Sequence, residues 1–317
     1  MPKNLSALGF MSGTSGDGVD SSVIESNGED IINIKYNRFD PYPTNLSTKI
    51  HRIKERISEK RDLLKYSTDI KDLEEEITNF HINIAIKVKY EIDYDLIGFH
   101  GHTIYHNSDE KISKQIGLGD HLSKKTKKTV VYDFRQNDIK NGGEGAPLSP
   151  IFHLALIKSL FNKNRVKMPI SILNIGGIAN ITEIDKDFKI FSRDIGPGNC
   201  LIDMWIRKNS HKLYDEDGNI AEKGTTDKFI FDQYLDNYYY SKISSKRSLD
   251  TNDFDVSFAK GLSLENGTTT MTDLTSELLS KKIGNNDIFV CGGGRKNKSL
   301  MSQLKNKIKN KLFLIDD

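Results

Sequence analysis

The chain has 317 residues, long for a single core, so two domains are the starting expectation. Lys and Arg number 46 against 44 Asp and Glu, a net charge of +2, so the charge balance gives no reason to expect nucleic acid or a membrane as a partner. Two widely separated cysteines, Cys200 and Cys291, supply neither a metal motif nor a disulfide framework, no stretch approaches a membrane span and no secretory segment follows Met1, so a cytoplasmic setting is expected.

Residues 5–11 are apolar and small, and 19–24 resume that character after a Gly-rich break, which predicts strand, turn, strand. Residues 31–36 alternate and predict a third strand. Two helices follow, the second marked by Ile70, Leu73, Ile77, Phe80, Ile84 and Val88 at spacings of three and four. Residues 95–99 predict a short buried strand, followed by a turn at His100-Gly101-His102. The lysine-dense run 124–128 reads as solvated surface, and 129–132 predict a strand ending at Asp133. The run Asn141-Gly142-Gly143-Glu144-Gly145-Ala146-Pro147 cannot sustain a regular element. The domain boundary is expected just before it, giving domains 1–134 and 135–317.

Residues 150–161 then predict a helix, and 171–174 and 178–184 predict strands on either side of Gly176-Gly177. A strand-like stretch lies at 188–192, with helices expected over 199–208, 226–238 and 270–282. Strand 287–291 runs into Gly292-Gly293-Gly294, followed by a helix over 297–310 and a strand-like run at 312–315. Strands alternating with helices predict an α/β fold. A strand–Gly turn–strand unit opens each proposed half, a weak sign of internal duplication.

Several of these turns carry residues suited to chemistry. In the first, Gly13-Thr14-Ser15-Gly16-Asp17-Gly18-Val19-Asp20, small residues let a backbone approach phosphate oxygens. Successive N–H groups can form an anion nest, and Asp17 can hold Mg²⁺. It is neither a Walker A loop nor a dinucleotide fingerprint, and a plain hairpin turn explains it equally well. Gly176-Gly177 offers a second nest, and Gly292-Gly293-Gly294 suits packing against a flat ring such as adenine; a tight turn explains each as well. Asp194, before Gly196-Pro197-Gly198-Asn199, is placed to act as a general base near a sugar, or else to cap the helix that follows. His100, His102 and His106 invite a zinc reading, but polar sugar ligands fit better, with no matching second cluster of ligands. Arg135 suits a bidentate grip on a carboxylate or phosphate, or a structural Asp–Arg pair across the hinge.

The segments GFMSGTSGDGVD, GFHGHTIYH, DFRQNDIKNGGEGAPL, NIGGIANIT, DIGPGNCLID and CGGGRKN occur in this order across most of the chain. Together they resemble the motifs of the anhydro-N-acetylmuramic acid kinases, with weaker matches at Tyr214-Asp215-Glu216-Asp217-Gly218 and Lys246-Arg247-Ser248. The resemblance implies a two-domain actin/hexokinase-like (ribonuclease H-like) ATPase fold, with ATP and sugar held between the domains. It implies hydrolysis of the 1,6-anhydro ring of 1,6-anhydro-N-acetylmuramic acid coupled to phosphorylation at O6, in murein recycling. It makes Asp194 the proposed base and residues 13–20 the ATP phosphate loop, with Gly176, Gly177, Gly292, Gly293 and Gly294 as further ATP contacts. His100, Gly101, Thr103, Arg135 and Asn199 are candidates for the sugar. ATP, Mg²⁺ and a small-molecule sugar are the expected ligands, and a homodimer is compatible with the sequence.

Three departures stand against the pattern. Gly16 replaces the family's usual Leu, and His102 its usual Gln. The family also continues past the equivalent of Asp317 with a helix whose Glu helps place the water, so a less stable and weakly active or inactive chain is expected. Another sugar kinase of the same fold, or a binding protein without turnover, are the alternatives.

Overall fold

The computed structural model describes residues 4–13, 16–107, 110–241, 243 and 249–315. The chain divides into two compact units, Met1–Arg165 and Val166–Asp317.

In the first unit, β1 (Leu5–Ser12), β2 (Gly18–Ser26) and β3 (Ile32–Pro41) form an antiparallel meander. The chain then passes through α1 (Thr44–Arg56), α2 (Lys60–Lys65) and α3 (Ser67–Glu91) and returns as β4 (Leu96–Asn107), parallel to β1. Next come β5 (Ile112–Ile116), antiparallel to β4, then α4 (Gly119–Thr126) and β6 (Thr129–Tyr132), parallel to β4, with α5 (Phe134–Lys140) and α6 (Pro150–Asn162) closing the unit. The strand order is β3-β2-β1-β4-β5, with β6 also on β4.

The core follows from period. Leu8, Val19, Val23, Ile97 and Phe99 come off the sheet, and Ile70, Leu73, Ile77, Ile84 and Val88 off one stripe of α3. Burying such a side chain contributes about 1.5–3 kcal/mol each. Two helices were expected before β4, and three are present. The expected turn at His100-Gly101-His102 is instead the middle of β4. Gly101 sits there at φ +70°, beside a register shift, and a Cβ on it would lie 2.4 Å from the Ile116 carbonyl oxygen. A glycine signal therefore marks a bulge inside a continuous strand.

In the second unit, β7 (Ile170–Ile175), β8 (Ile178–Ile184) and β9 (Ile190–Pro197) form another antiparallel meander, followed by α7 (Cys200–Asn209), α8 (Lys228–Tyr240) and α9 (Leu264–Ser280). β10 (Asp287–Cys291) then pairs parallel to β7, and after α10 (Lys298–Lys307), β11 (Leu312–Leu314) pairs parallel to β10, giving the order β11-β10-β7-β8-β9. Three antiparallel strands followed by a strand parallel to the first thus occur in both units, so the duplication read from the hairpins extends to the topology.

Trp205 centres the second core. Its indole Nε1–H donates to the Leu264 carbonyl (3.1 Å), and its ring lies where a Cβ on Gly267 would fall, 2.1 Å away. α9 begins well before the expected residue 270, because the Ser263 side chain accepts the Asn266 N–H and caps it. β3 and β9 are outer strands of their sheets. On β3, Arg38 pairs with Asp40 (3.0 Å) and Glu91 (3.3 Å), and on β9, Arg193 pairs with Glu183 (2.6 Å) and stacks over Phe191.

The division falls after Arg165 rather than near residue 134. The Gly-rich loop is stitched back onto the first unit: the Gly145 N–H donates to Asp138 Oδ2 (2.7 Å) and Arg135 Nη1 donates to the Gly145 carbonyl (3.2 Å). A stretch with no regular element is here an anchored loop, not a linker.

Candidate active site

The carboxyl ends of β1, β4 and β6 gather most of the first unit's candidate residues, where open α/β sheets bind ligands. The β1–β2 loop starts at Gly13. The Gly16 N–H donates to the Gly13 carbonyl (3.1 Å), Ser47 Oγ on α1 donates to the Gly16 carbonyl (2.7 Å), and the Tyr42 N–H donates to the Asp17 carbonyl (2.9 Å). Gly16 has φ +62°, and a Cβ there would lie 3.2 Å from Ile50. α1 therefore comes close to this glycine, which also sits at a left-handed φ that side chains rarely adopt. Gly18 and Val19 are buried as β2 begins, whereas Asp17 and Asp20 are exposed carboxylates. Thr14 and Ser15 lie outside the described residues, as do Lys246, Arg247 and Ser248.

Below the loop the side chains are polar and buried. Ser12 Oγ is 2.8 Å from Tyr42 Oη and 2.7 Å from His102 Nδ1. Burial holds the His102 imidazolium far below its ordinary range, helped by Lys54 and the neighbouring histidines. Burial also raises the Tyr42 phenol to about 12, with the Asp17 carboxylate adding to the rise.

On the same strand, His100 accepts Arg135 Nε–H at Nε2 (2.9 Å), and its Nδ1 is 3.0 Å from the Gly101 carbonyl. Burial first, and then the adjacent guanidinium, lower His100 to about 4, so it is neutral near pH 7. Accepting at Nε2 leaves the proton on Nδ1, which donates to Gly101. Thr103 Oγ1 accepts from Gln115 (3.3 Å), and His106 Nδ1 lies 3.0 Å from Ser113 Oγ. His100, His102 and His106 thus answer to three different partners, and no group of three potential metal ligands exists among the described residues. Arg135 is paired with His100 and Gly145, a neutral ring and a carbonyl.

The second unit gathers its candidates at the carboxyl ends of β7, β9 and β10. The Gly176 carbonyl accepts the Asn199 N–H (2.7 Å), and the Gly177 carbonyl accepts those of Gly198 (2.9 Å) and Cys200 (3.1 Å). The tight β7–β8 turn is thereby locked to the start of α7, and these N–H groups are spent on protein carbonyls. Gly292, at φ +82°, leaves no room for a Cβ, which would lie 2.5 Å from Asn174 Oδ1 and 2.6 Å from the Ile175 carbonyl. Gly294 presses on Ile175 in the same way, whereas a Cβ on Gly293 would meet nothing nearer than Asn199 Nδ2 at 3.9 Å. Of the three glycines, Gly293 has open space for a ligand. Nearby, buried Asp215 accepts the Ile220 and Ala221 N–H groups and shapes the Tyr214–Gly218 turn.

Asp194 lies inside β9 opposite Asn180, 7% exposed, and its Oδ2 accepts the Leu249 N–H (2.8 Å). It is not the cap of α7, whose N-cap is Asn199, without a side-chain cap bond. A carboxylate oriented by a backbone donor is suited to take a proton from water. Tyr42 and Leu249 are the neighbours that the motifs did not flag. The one available signal for Tyr42 was its place between Pro41 and Pro43, in a chain of only 7 prolines.

Comparison with known proteins bears on these groups. The family model described as anhydro-N-acetylmuramic acid kinase matches residues 5–313. An anhydro-N-acetylmuramic acid kinase of Pelagibacter ubique is 43% identical, covering 100% of this chain and 88% of that protein. Proteins of the same name from Zymomonas mobilis (36% identical, 98% of this chain, 87% of that one) and Agrobacterium fabrum (35%, 94% and 82%) are also similar. Among solved structures, a ROK-family glucokinase from Streptomyces griseus aligns over 98% of this chain and 94% of its own, at 9% identity and TM-score 0.40. The Acidaminococcus fermentans (R)-2-hydroxyglutaryl-CoA dehydratase component A aligns over 98% and 92%, at 12% identity and TM-score 0.45.

Proposed function

Since the chain belongs to the anhydro-N-acetylmuramic acid kinase family, we propose that it uses ATP and one water to convert 1,6-anhydro-N-acetylmuramic acid into N-acetylmuramic acid 6-phosphate. The observation that carries this reading is the continuous match over residues 5–313, which includes every candidate motif. The chemistry assigns each group a task. Asp194, held by the Leu249 N–H, takes a proton from the water that attacks the anomeric carbon. The C1–O6 bond breaks, and O6 accepts the γ-phosphoryl group while ADP leaves.

Phosphoryl transfer is mainly positioning and charge neutralisation, so backbone donors matter more than a covalent nucleophile. The loop 13–20 is the proposed phosphate cradle, and Gly293 the proposed contact for the adenine face. Asp17 is an exposed carboxylate at the loop, suited to Mg²⁺, which is held through one or two carboxylates together with substrate phosphates. When bound, Mg²⁺ neutralises charge on the phosphates. Thr103 and Asn199 offer hydrogen-bonding groups to the sugar, while the neutral His100, whose two ring nitrogens are engaged by Arg135 and the Gly101 carbonyl, offers the face of its ring. Gly176 and Gly177 carry their proposed ATP role through shape, since their carbonyls are engaged by α7. A cytoplasmic setting and a homodimer belong to the same proposal.

The test is turnover of ATP with and without the anhydro sugar, followed by the mass of the product. Sugar-dependent ADP release with a product heavier by one phosphoryl group plus one water is expected. A product heavier by the phosphoryl group alone would indicate an ordinary sugar kinase.

A further inference from the structure

We infer that Tyr42 is a positioning residue for the phosphate loop, tying together its two shoulders, Ser12 and Asp17. This rests on reading residues 13–20 as that loop. The hydroxyl of Tyr42 meets Ser12 Oγ at 2.8 Å, at the last residue before the loop, and its backbone N–H donates to the Asp17 carbonyl at 2.9 Å, at the far side. One residue therefore holds both the entry and the exit.

Its own position is fixed three ways. Pro41 ends β3 and Pro43 precedes α1, so the backbone on both sides of Tyr42 has little freedom. The ring packs against Phe80, with centroids 4.9 Å apart. Ser12 is also held from the opposite side by His102 Nδ1 at 2.7 Å. Tyr42, Ser12 and His102 are 7%, 3% and 0% exposed, so these bonds do not exchange freely with water. His102 thus has a task in this arrangement, as the second anchor of Ser12.

A cradle of backbone donors works only if its ends stay fixed while phosphates enter and ADP leaves. Removing the phenolic oxygen unties the entry and leaves the ring, the two prolines and the Asp17 bond in place. Such a change acts on nucleotide binding rather than on the sugar, which distinguishes positioning from general structural support.

Steady-state kinetics with ATP and the anhydro sugar varied separately test this on the full chain. Tyr42→Phe is expected to raise KM for ATP by about tenfold, the worth of one buried hydrogen bond, with KM for the sugar within about twofold. Ser12→Ala removes the same bond from the other side and should give the same split, so the test survives if the Tyr42 variant does not fold. The double variant should be no worse than Ser12→Ala alone, which already removes both bonds of Ser12. An unchanged KM for ATP, equal rises for both substrates, or additive losses in the double variant would overturn the role of Tyr42. Gly13→Val, which places a branched side chain where phosphates approach, is the control. If it leaves ATP binding unchanged, the loop assignment fails; if it removes ATP binding while Tyr42→Phe has no effect, only the positioning role fails.

Discussion

The two units repeat one strand order but equip its ligand end with opposite chemistry. In the first, the β1–β2 loop is long enough to need outside support, which it takes from Tyr42 and Ser47. Around it stand buried neutral imidazoles and a guanidinium. In the second, the β7–β8 turn is two glycines locked to the first N–H groups of α7, and the functional side chains are a carboxylate and an amide. A repeated scaffold thus carries a loop propped from outside in one unit and a turn locked to a helix in the other, and under the proposed function the first serves phosphates and the second stands beside the base.

The largest expected effect tests the second unit. Asp194→Asn keeps an oxygen for the Leu249 N–H but loses the basic group, so turnover should fall by about 10²–10⁴-fold while ATP binding is retained. Turnover within a few-fold of the parent would show that Asp194 only braces the Leu249 segment.

The next effect separates packing glycines from a ligand-facing one. Gly292→Ala puts a Cβ into Asn174 and Ile175 at a left-handed φ, and should cost about 2 kcal/mol or more, several degrees in the melting temperature of that unit. Gly293→Ala should leave melting unchanged and raise KM for ATP a few-fold. Equal melting losses would erase the distinction.

The smallest effect contrasts the units directly. Burial pushes His81, His100, His106 and His153 down to about 4, and His102 well below its usual value, all in the first unit; the second has only exposed His211. A folded pKa below the unfolded value of about 6.5 gives a contribution that is whole above that pH and shrinks as pH falls towards 4. Fully buried His81 alone should cost about 1–2 kcal/mol by pH 5. Protection factors of the β4 amides, corrected for the slower intrinsic exchange at low pH, should therefore fall between pH 6.5 and 5, while emission from Trp205, the single tryptophan and a reporter of the second unit, stays constant. Simultaneous loss of both signals would mean that the units unfold as one.

Much of this was legible where local chemistry agreed with the fold. The Ile-rich segments flanking Gly176-Gly177 matched β7 and β8, and the stripe from Ile70 to Val88 matched α3. Two of the failures share one cause: a glycine signals conformational freedom but not what the freedom is used for. Gly101 bulges a strand rather than ending it, and Gly145 stitches a loop down rather than releasing a linker. α9 was read too short because its first turn is rich in Thr and Gly, and only the Ser263 cap marks its start. Tyr42 escaped because its partner Ser12 is thirty residues away and no local pattern joins them.

The arginines on the two outer strands have a consequence outside catalysis. β3 exposes Ile34 and Phe39, and β9 exposes Ile190 and Phe191, so each sheet ends in a rim that another extended chain would find adhesive. To dock there, that chain would have to displace a guanidinium already satisfied by carboxylates, Arg38 on one rim and Arg193 on the other. These ion pairs therefore place charge on both rims, the feature by which edge strands discourage unplanned pairing with another strand.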